Sequence, residues 1–105
     1  MSGADIIYAM LKQKGWTQAR LNEAMGYTSP GTMSNRLRRG SMSVKVFSDI
    51  VDVLGFQIHI HPIAEPGKTV NIAQFCETEL NVKTLFDVMD ILGYKMTFSP
   101  ELEIN

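Results

Sequence analysis

Between Thr17 and Gly40 the chain gathers the side chains best suited to touching a nucleic acid: Thr17, Gln18, Ser29, Gly31, Thr32, Asn35, Arg36, Arg38 and Arg39. A carboxamide such as Asn35 can pair bidentately with adenine. A guanidinium can fork onto guanine or clamp a phosphate. Met33 and Leu37, four residues apart, fix the buried side of a helix, and at about 100° per residue Gly31, Thr32, Asn35, Arg38 and Arg39 then point roughly the other way. Arg36 falls on a flank. Gly31 lets the backbone approach a partner, while Thr17 and Gln18 open the preceding helix, where exposed N–H groups and a polar side chain suit a phosphate. No set of nucleophile, base and oxyanion donors can be assembled, so enzymatic chemistry is not expected.

The elements that must hold these residues follow from spacing. Ala4 to Lys14 carries Ile6, Ile7, Met10 and Leu11 at helical intervals and stops at Gly15. Thr17 caps a second helix with Leu21, Ala24 and Met25 on its apolar side, ended by Gly26. Tyr27 and Thr28 turn the chain, Ser29 caps, Pro30 takes the first helical position, and the third helix runs to Arg39 before Gly40. Ser43 caps a fourth helix whose stripe is Val44, Phe47, Ile50, Val51 and Leu54. From Phe56 the period becomes two: Phe56, Ile58 and Ile60 alternate with Gln57, His59 and His61 up to Pro62, which predicts a strand with one buried side. Ala64 to Lys68 reads as a loop.

The chain then repeats itself. The 19 residues from Val44 to Pro62 match those from Val82 to Pro100 at a constant offset of 38, with Val, Lys, Asp, Asp, Leu, Gly and Pro identical. Phe56, Ile58 and Ile60 become Tyr94, Met96 and Phe98, and the cap Ser43 becomes Asn81. A second helix and strand are therefore predicted, preceded by a short helix from Ile72 to Leu80. The two strands can pair about a local twofold. The segment from Ile63 to Asn81 is too short for a second copy of the first three helices, so each chain holds one reading head.

At 105 residues, 45% hydrophobic and 20% charged, the chain is long enough to bury one core. Its net charge of −1 is unevenly spread: seven Lys/Arg face four acids in residues 1–62, a net of +3, and three face seven in residues 63–105, a net of −4. The basic part suits phosphate; the acidic part suits solvent or a protein partner. With neither a long apolar run nor a leader pattern, no membrane contact is expected and the cytoplasm is the expected location. Cys76, alone, reads as a small hydrophobe.

In its combination of Thr17, Gln18 and Leu21 with Gly26, then Thr32 and Ser34, then Gly40, Leu54 and Gly55, the sequence resembles the phage-repressor-like (XRE-type) helix-turn-helix regulators, over about residues 4–62. The resemblance implies a lambda-repressor-like head in which residues matching Thr32 and Asn35 read bases and that matching Gln18 touches backbone or neighbouring bases. A strand after the last helix resembles family members, antitoxin-type repressors among them, whose strands pair between chains. The expected fold is mainly α with a small β element: four helices and a strand in residues 1–62, then a degenerate helix-strand repeat in residues 63–105 pairing with it.

The expected partner is double-stranded DNA, bound without a cofactor by a homodimer joined through Phe56, Ile58, Ile60, Tyr94, Met96 and Phe98. The rival is a protein-binding module, an antitoxin or inhibitor, that captures a partner through residues 63–105. His59 and His61 share a strand side, but their repeat positions are Thr97 and Ser99, so no metal site is expected. Met10, Met25, Met33, Met89 and Met96 have core spacing, Trp16 is expected to pack, and the repeated pairs Asp49/Asp52 and Asp87/Asp90 to face solvent.

Overall fold

A computed structural model describes residues 2–39, 42–64, 69–77 and 79–102. The expected helix stop at Gly40 and most of the expected 64–68 loop lie outside these residues. Six helices and two strands occur among them: α1 (Gly3–Lys14), α2 (Gln18–Ala24), α3 (Thr32–Arg39), α4 (Val44–Val53), β1 (Gln57–Pro62), α5 (Ala73–Cys76), α6 (Val82–Leu92) and β2 (Tyr94–Ser99). The chain is mainly helical with one small antiparallel sheet.

Local chemistry sets most boundaries. Ser2 and Asp5 form a reciprocal capping box at the start of α1, and Gly15 ends it at φ 70°. Thr17, Ser43 and Asn81 cap α2, α4 and α6, their side-chain oxygens accepting from the backbone N–H of Arg20, Val46 and Lys83. Three expectations fail. α3 begins at Thr32 rather than Pro30: its first helical bond runs from the Asn35 N–H to the Gly31 carbonyl, and Ser29 contributes its own carbonyl, not a capping hydroxyl. On α2 the side chain buried beside Leu21 is Asn22, whereas Ala24 is exposed. The helix expected from Ile72 to Leu80 forms only over Ala73–Cys76, its first N–H, that of Ala73, donating to the Asn71 side-chain oxygen at 3.0 Å.

β1 and β2 pair with each other, from Gln57 opposite Ser99 to Pro62 opposite Tyr94. In this register His59 faces Thr97, its own repeat equivalent, and the isolated bridge Ser43–Asn81 again joins equivalent positions. An approximate twofold through these two pairs therefore relates α4–β1 to α6–β2. The surface ion pairs obey it too: Lys45–Asp49 at 3.1 Å recurs as Lys83–Asp87 at 3.4 Å. The ladder continues from the Ile63 N–H to the Gly93 carbonyl, so odd-numbered pairs exchange hydrogen bonds and Pro62, without an N–H, falls where none is required. The amides of Tyr94, Met96 and Phe98 consequently face outward on β2, while on β1 the Ile60 carbonyl accepts from Val70.

One hydrophobic cluster runs from α1 through α4 into α6. Ile7, Met10, Leu21, Met33, Phe47 and Ile50 are fully buried and continuous with Val82, Leu85 and Met89. Phe47 meets Phe86 edge to face at 6.0 Å, close to the favoured geometry for aromatic pairs. The twofold is broken where α1 to α3 lack a counterpart. Ile50 and Leu54 are buried, yet the equivalent Val88 and Leu92 on α6 are 42% and 64% exposed, and neighbouring Ile91 is 82% exposed.

Candidate nucleic-acid interface

α3 is pinned by two side chains. Met33 and Leu37, 0% and 2% exposed, insert beneath it, as their spacing of four requires. What remains outward is Ser34, Asn35, Arg38 and Arg39, all exposed, with Gly31, Thr32 and Arg36 half-buried at the margins. The structure thus brings Asn35, Arg38 and Arg39 onto one accessible helix side. Ser29 lies in the connection ahead of α3, exposed but outside the helix.

The polar groups here are already organised. An Arg38 guanidinium N–H donates to the Asn35 side-chain oxygen, one helical turn away. The Asn35 carboxamide is thereby oriented. Bidentate contact with adenine requires that oxygen to exchange the guanidinium for a base amino group, which frees Arg38 to reach a phosphate. The Ser34 hydroxyl donates to the Gln18 side-chain oxygen at 2.8 Å, tying the first residue of α2 to the outer part of α3. The Thr17 hydroxyl is occupied as the α2 cap, accepting from the Arg20 N–H at 3.1 Å.

Beside these groups two arginines sit on aromatic rings. The Arg36 guanidinium lies 5.5 Å from the Tyr27 ring centroid, which explains its half-burial, and that of Arg20 lies 4.1 Å from Trp16. Each ring narrows the space its cation samples while leaving N–H donors along the rim. Comparison found no match for this chain among family models, curated proteins or solved structures. The chemistry of this surface must therefore be understood from its own side chains.

Two residues escaped sequence reasoning. Arg20 follows Trp16 by four, and with Trp16 expected to pack just ahead of the Thr17 cap, that spacing already permitted the contact. Asn22 is the more consequential. By helical phase Asn22 and Ala24 flank the Leu21–Met25 stripe symmetrically, and hydropathy selects Ala24. The structure buries Asn22 because its carboxamide satisfies two backbone groups: Oδ1 accepts from the Met33 N–H at 2.8 Å and Nδ2 donates to the Ser29 carbonyl at 2.9 Å.

The six strand residues expected to join two chains are used first within one. Phe56 and Ile60 are buried, and Ile58, Tyr94, Met96 and Phe98 pack partly against the same core. His59 and His61 are both half-buried, and the His61 Nε2 lies 3.4 Å from the Thr97 hydroxyl. Among the described residues no three His, Cys, Asp or Glu side chains gather as a metal site would require.

Proposed function

We propose that this chain is a sequence-specific DNA-binding transcriptional regulator, a repressor or autorepressor with a lambda-repressor-like helix-turn-helix head. The observation that carries this reading is a helix buried through Met33 and Leu37 that leaves Asn35, Arg38 and Arg39 accessible on its other side. In that role α3 enters the major groove, Thr32 and Asn35 meet base edges, and Arg36, Arg38 and Arg39 hold phosphates. Gln18, braced by Ser34, contacts the backbone beside the α2 start, and Gly31 admits close approach of the helix. No cofactor takes part, and the site of action is the cytoplasm.

One head per chain offers few base contacts, so a homodimer on a palindromic operator supplies the specificity, with half-sites about 34 Å apart. β1 has spent one edge on β2 and meets Val70 on the other, whereas the outward amides of Tyr94, Met96 and Phe98 leave β2 able to pair with a second copy. Sedimentation with a labelled duplex drawn from the chain's own promoter, at two salt concentrations, tests this. A dimer that prefers that duplex to a scrambled one and weakens steeply with salt is expected; indifference to both duplexes overturns the proposal.

A second reading is favoured by a specific feature of α6. Val88, Ile91 and Leu92 are exposed beside an apolar groove of about 180 Å³ lined by Ile60, Phe75, Leu85 and Tyr94 among others. Exposed apolar surface of this kind suits a protein partner of residues 63–105, with DNA binding serving autoregulation. Under that reading Ile91→Asp abolishes co-purification of the partner while the duplex affinity is unchanged; a partner retained by Ile91→Asp counts against it.

A further inference from the structure

We infer that Asn22 is a positioning residue for base reading: its carboxamide fixes where the outer side of α3 stands relative to α2, an assignment that rests on the DNA-binding reading above. Asn22, 5% exposed, is the only buried polar side chain among the described residues. One planar group holds both ends of the segment that enters α3. The Ser29 carbonyl is gripped before the helix and the Met33 N–H within its first turn.

Apolar packing alone does not fix this geometry. Met33 is unbranched, with three rotatable bonds, and fills its space in several ways, so a helix seated on Met33 and Leu37 retains freedom to slide and rotate about its axis. Hydrogen bonds are directional and lose strength within a few tenths of an ångström, so the Asn22 pair removes that freedom. The first four N–H groups of a helix lack helical partners. An apolar residue at position 22 leaves the Met33 N–H, whose bond to Asn22 is buried, unsatisfied, and α3 must shift or fray to reach water. Thr32 and Asn35 lie within one turn of Met33 and move with it. Arg38 and Arg39 reach phosphates on long, adaptable stems and tolerate the same shift.

The consequence separates two kinds of binding. Loss of Asn22 removes preference between sequences and leaves general DNA affinity nearly intact. The test uses Asn22→Ala and Asn22→Asp in the full chain, the latter keeping an acceptor for the Met33 N–H and losing the donor to Ser29. Affinity is measured for a duplex that the wild-type chain enriches from a random library and for its scrambled version, together with hydrogen exchange at the Met33 amide. The ratio of the two affinities is read, so the charge added by Asp acts on both duplexes and cancels.

Asn22→Ala is expected to reduce the ratio at least about tenfold, to change scrambled-duplex affinity by less than about twofold and to accelerate Met33 exchange. Asn22→Asp falls between wild type and Ala in the ratio, and it decides the matter if the Ala variant does not fold. Equal loss on both duplexes, an unchanged ratio, or Met33 exchange as slow as in wild type overturns the assignment. A wild-type chain that enriches no duplex overturns the DNA reading and the assignment with it. That outcome is recognisable because the exchange measurement needs no DNA and still reports the clasp.

Discussion

His59 and Thr97 stand opposite each other in the β1–β2 ladder, and they are one and the same position of the 19-residue repeat, 38 residues apart. Only a twofold arrangement does this, and the Ser43–Asn81 bridge marks a second point on its axis. The two half-units therefore build one core. Phe47 of α4 meets Phe86 of α6 edge to face, and Gly3 at the start of α1 is pressed against Val82 of α6.

A shared core makes the chain unfold as one unit. Leu85, 2% exposed on α6, is expected to cost about 2–5 kcal/mol on replacement by Ala. Urea unfolding followed through Trp16 fluorescence, which reports the α1–α2 end, and through far-UV circular dichroism should shift by the same amount. A Trp16 transition that stays in place while the other moves shows two independent units.

Gly3 tests the contact between α1 and α6. Helix propensity alone favours Ala over Gly by about 1 kcal/mol. The added Cβ would, however, stand 2.8 Å from Val82 Cγ1 and 3.4 Å from Phe47 Cδ1, both on buried side chains. Overpacking of this kind costs about 1–3 kcal/mol, so Gly3→Ala should lower the urea midpoint. A raised midpoint shows that the neighbours yield.

The acid limb of the stability curve contains a contribution from Asp5. Hydrogen bonds from the Ser2 backbone N–H and hydroxyl hold its carboxyl below the ordinary value of 3.8. A group whose folded-state pKa is depressed stabilises the fold above its unfolded value and loses that contribution as pH falls through the folded one. Asp5→Asn should therefore flatten the melting-temperature profile below about pH 4 and leave its shape at neutral pH unchanged. An identical acid limb in the variant contradicts the capping box as its source.

On a cognate duplex Asn35→Ala should cost about 1–3 kcal/mol and little on random DNA, whereas Arg39→Ala should weaken both and reduce the slope of affinity with salt by about one. Fluorescence anisotropy at several salt concentrations reads both effects. Equal losses for Asn35→Ala on both duplexes remove it from base reading.

Much of this arrangement was legible in the sequence because apolar spacing and capping chemistry are local. The stripes of α1, α4 and α6, the caps Thr17, Ser43 and Asn81, and the glycines at 15 and 26 all act within a few residues of themselves. The repeat further predicted which strands meet, since equal units pair most simply about a twofold. What escaped depends on distant partners. Asn22 is buried for groups seven and eleven residues away, and no helical period encodes that. Pro30 is compatible with a first helical turn, yet the Ser29 carbonyl is drawn to Asn22 and the helix starts at Thr32 instead. The exposure of Asn35, Arg38 and Arg39 follows from Met33 and Leu37 defining the opposite side of α3, whereas Gly31 and Thr32, expected to point the same way, are half-buried where the chain enters the helix.

The most direct test of the central claim is enrichment of duplexes from a random-sequence library by the purified chain. The expected result is one family of twofold-symmetric sites with half-sites about 34 Å apart, its enrichment lost in Asn35→Ala. A library recovered without sequence preference contradicts DNA reading by α3.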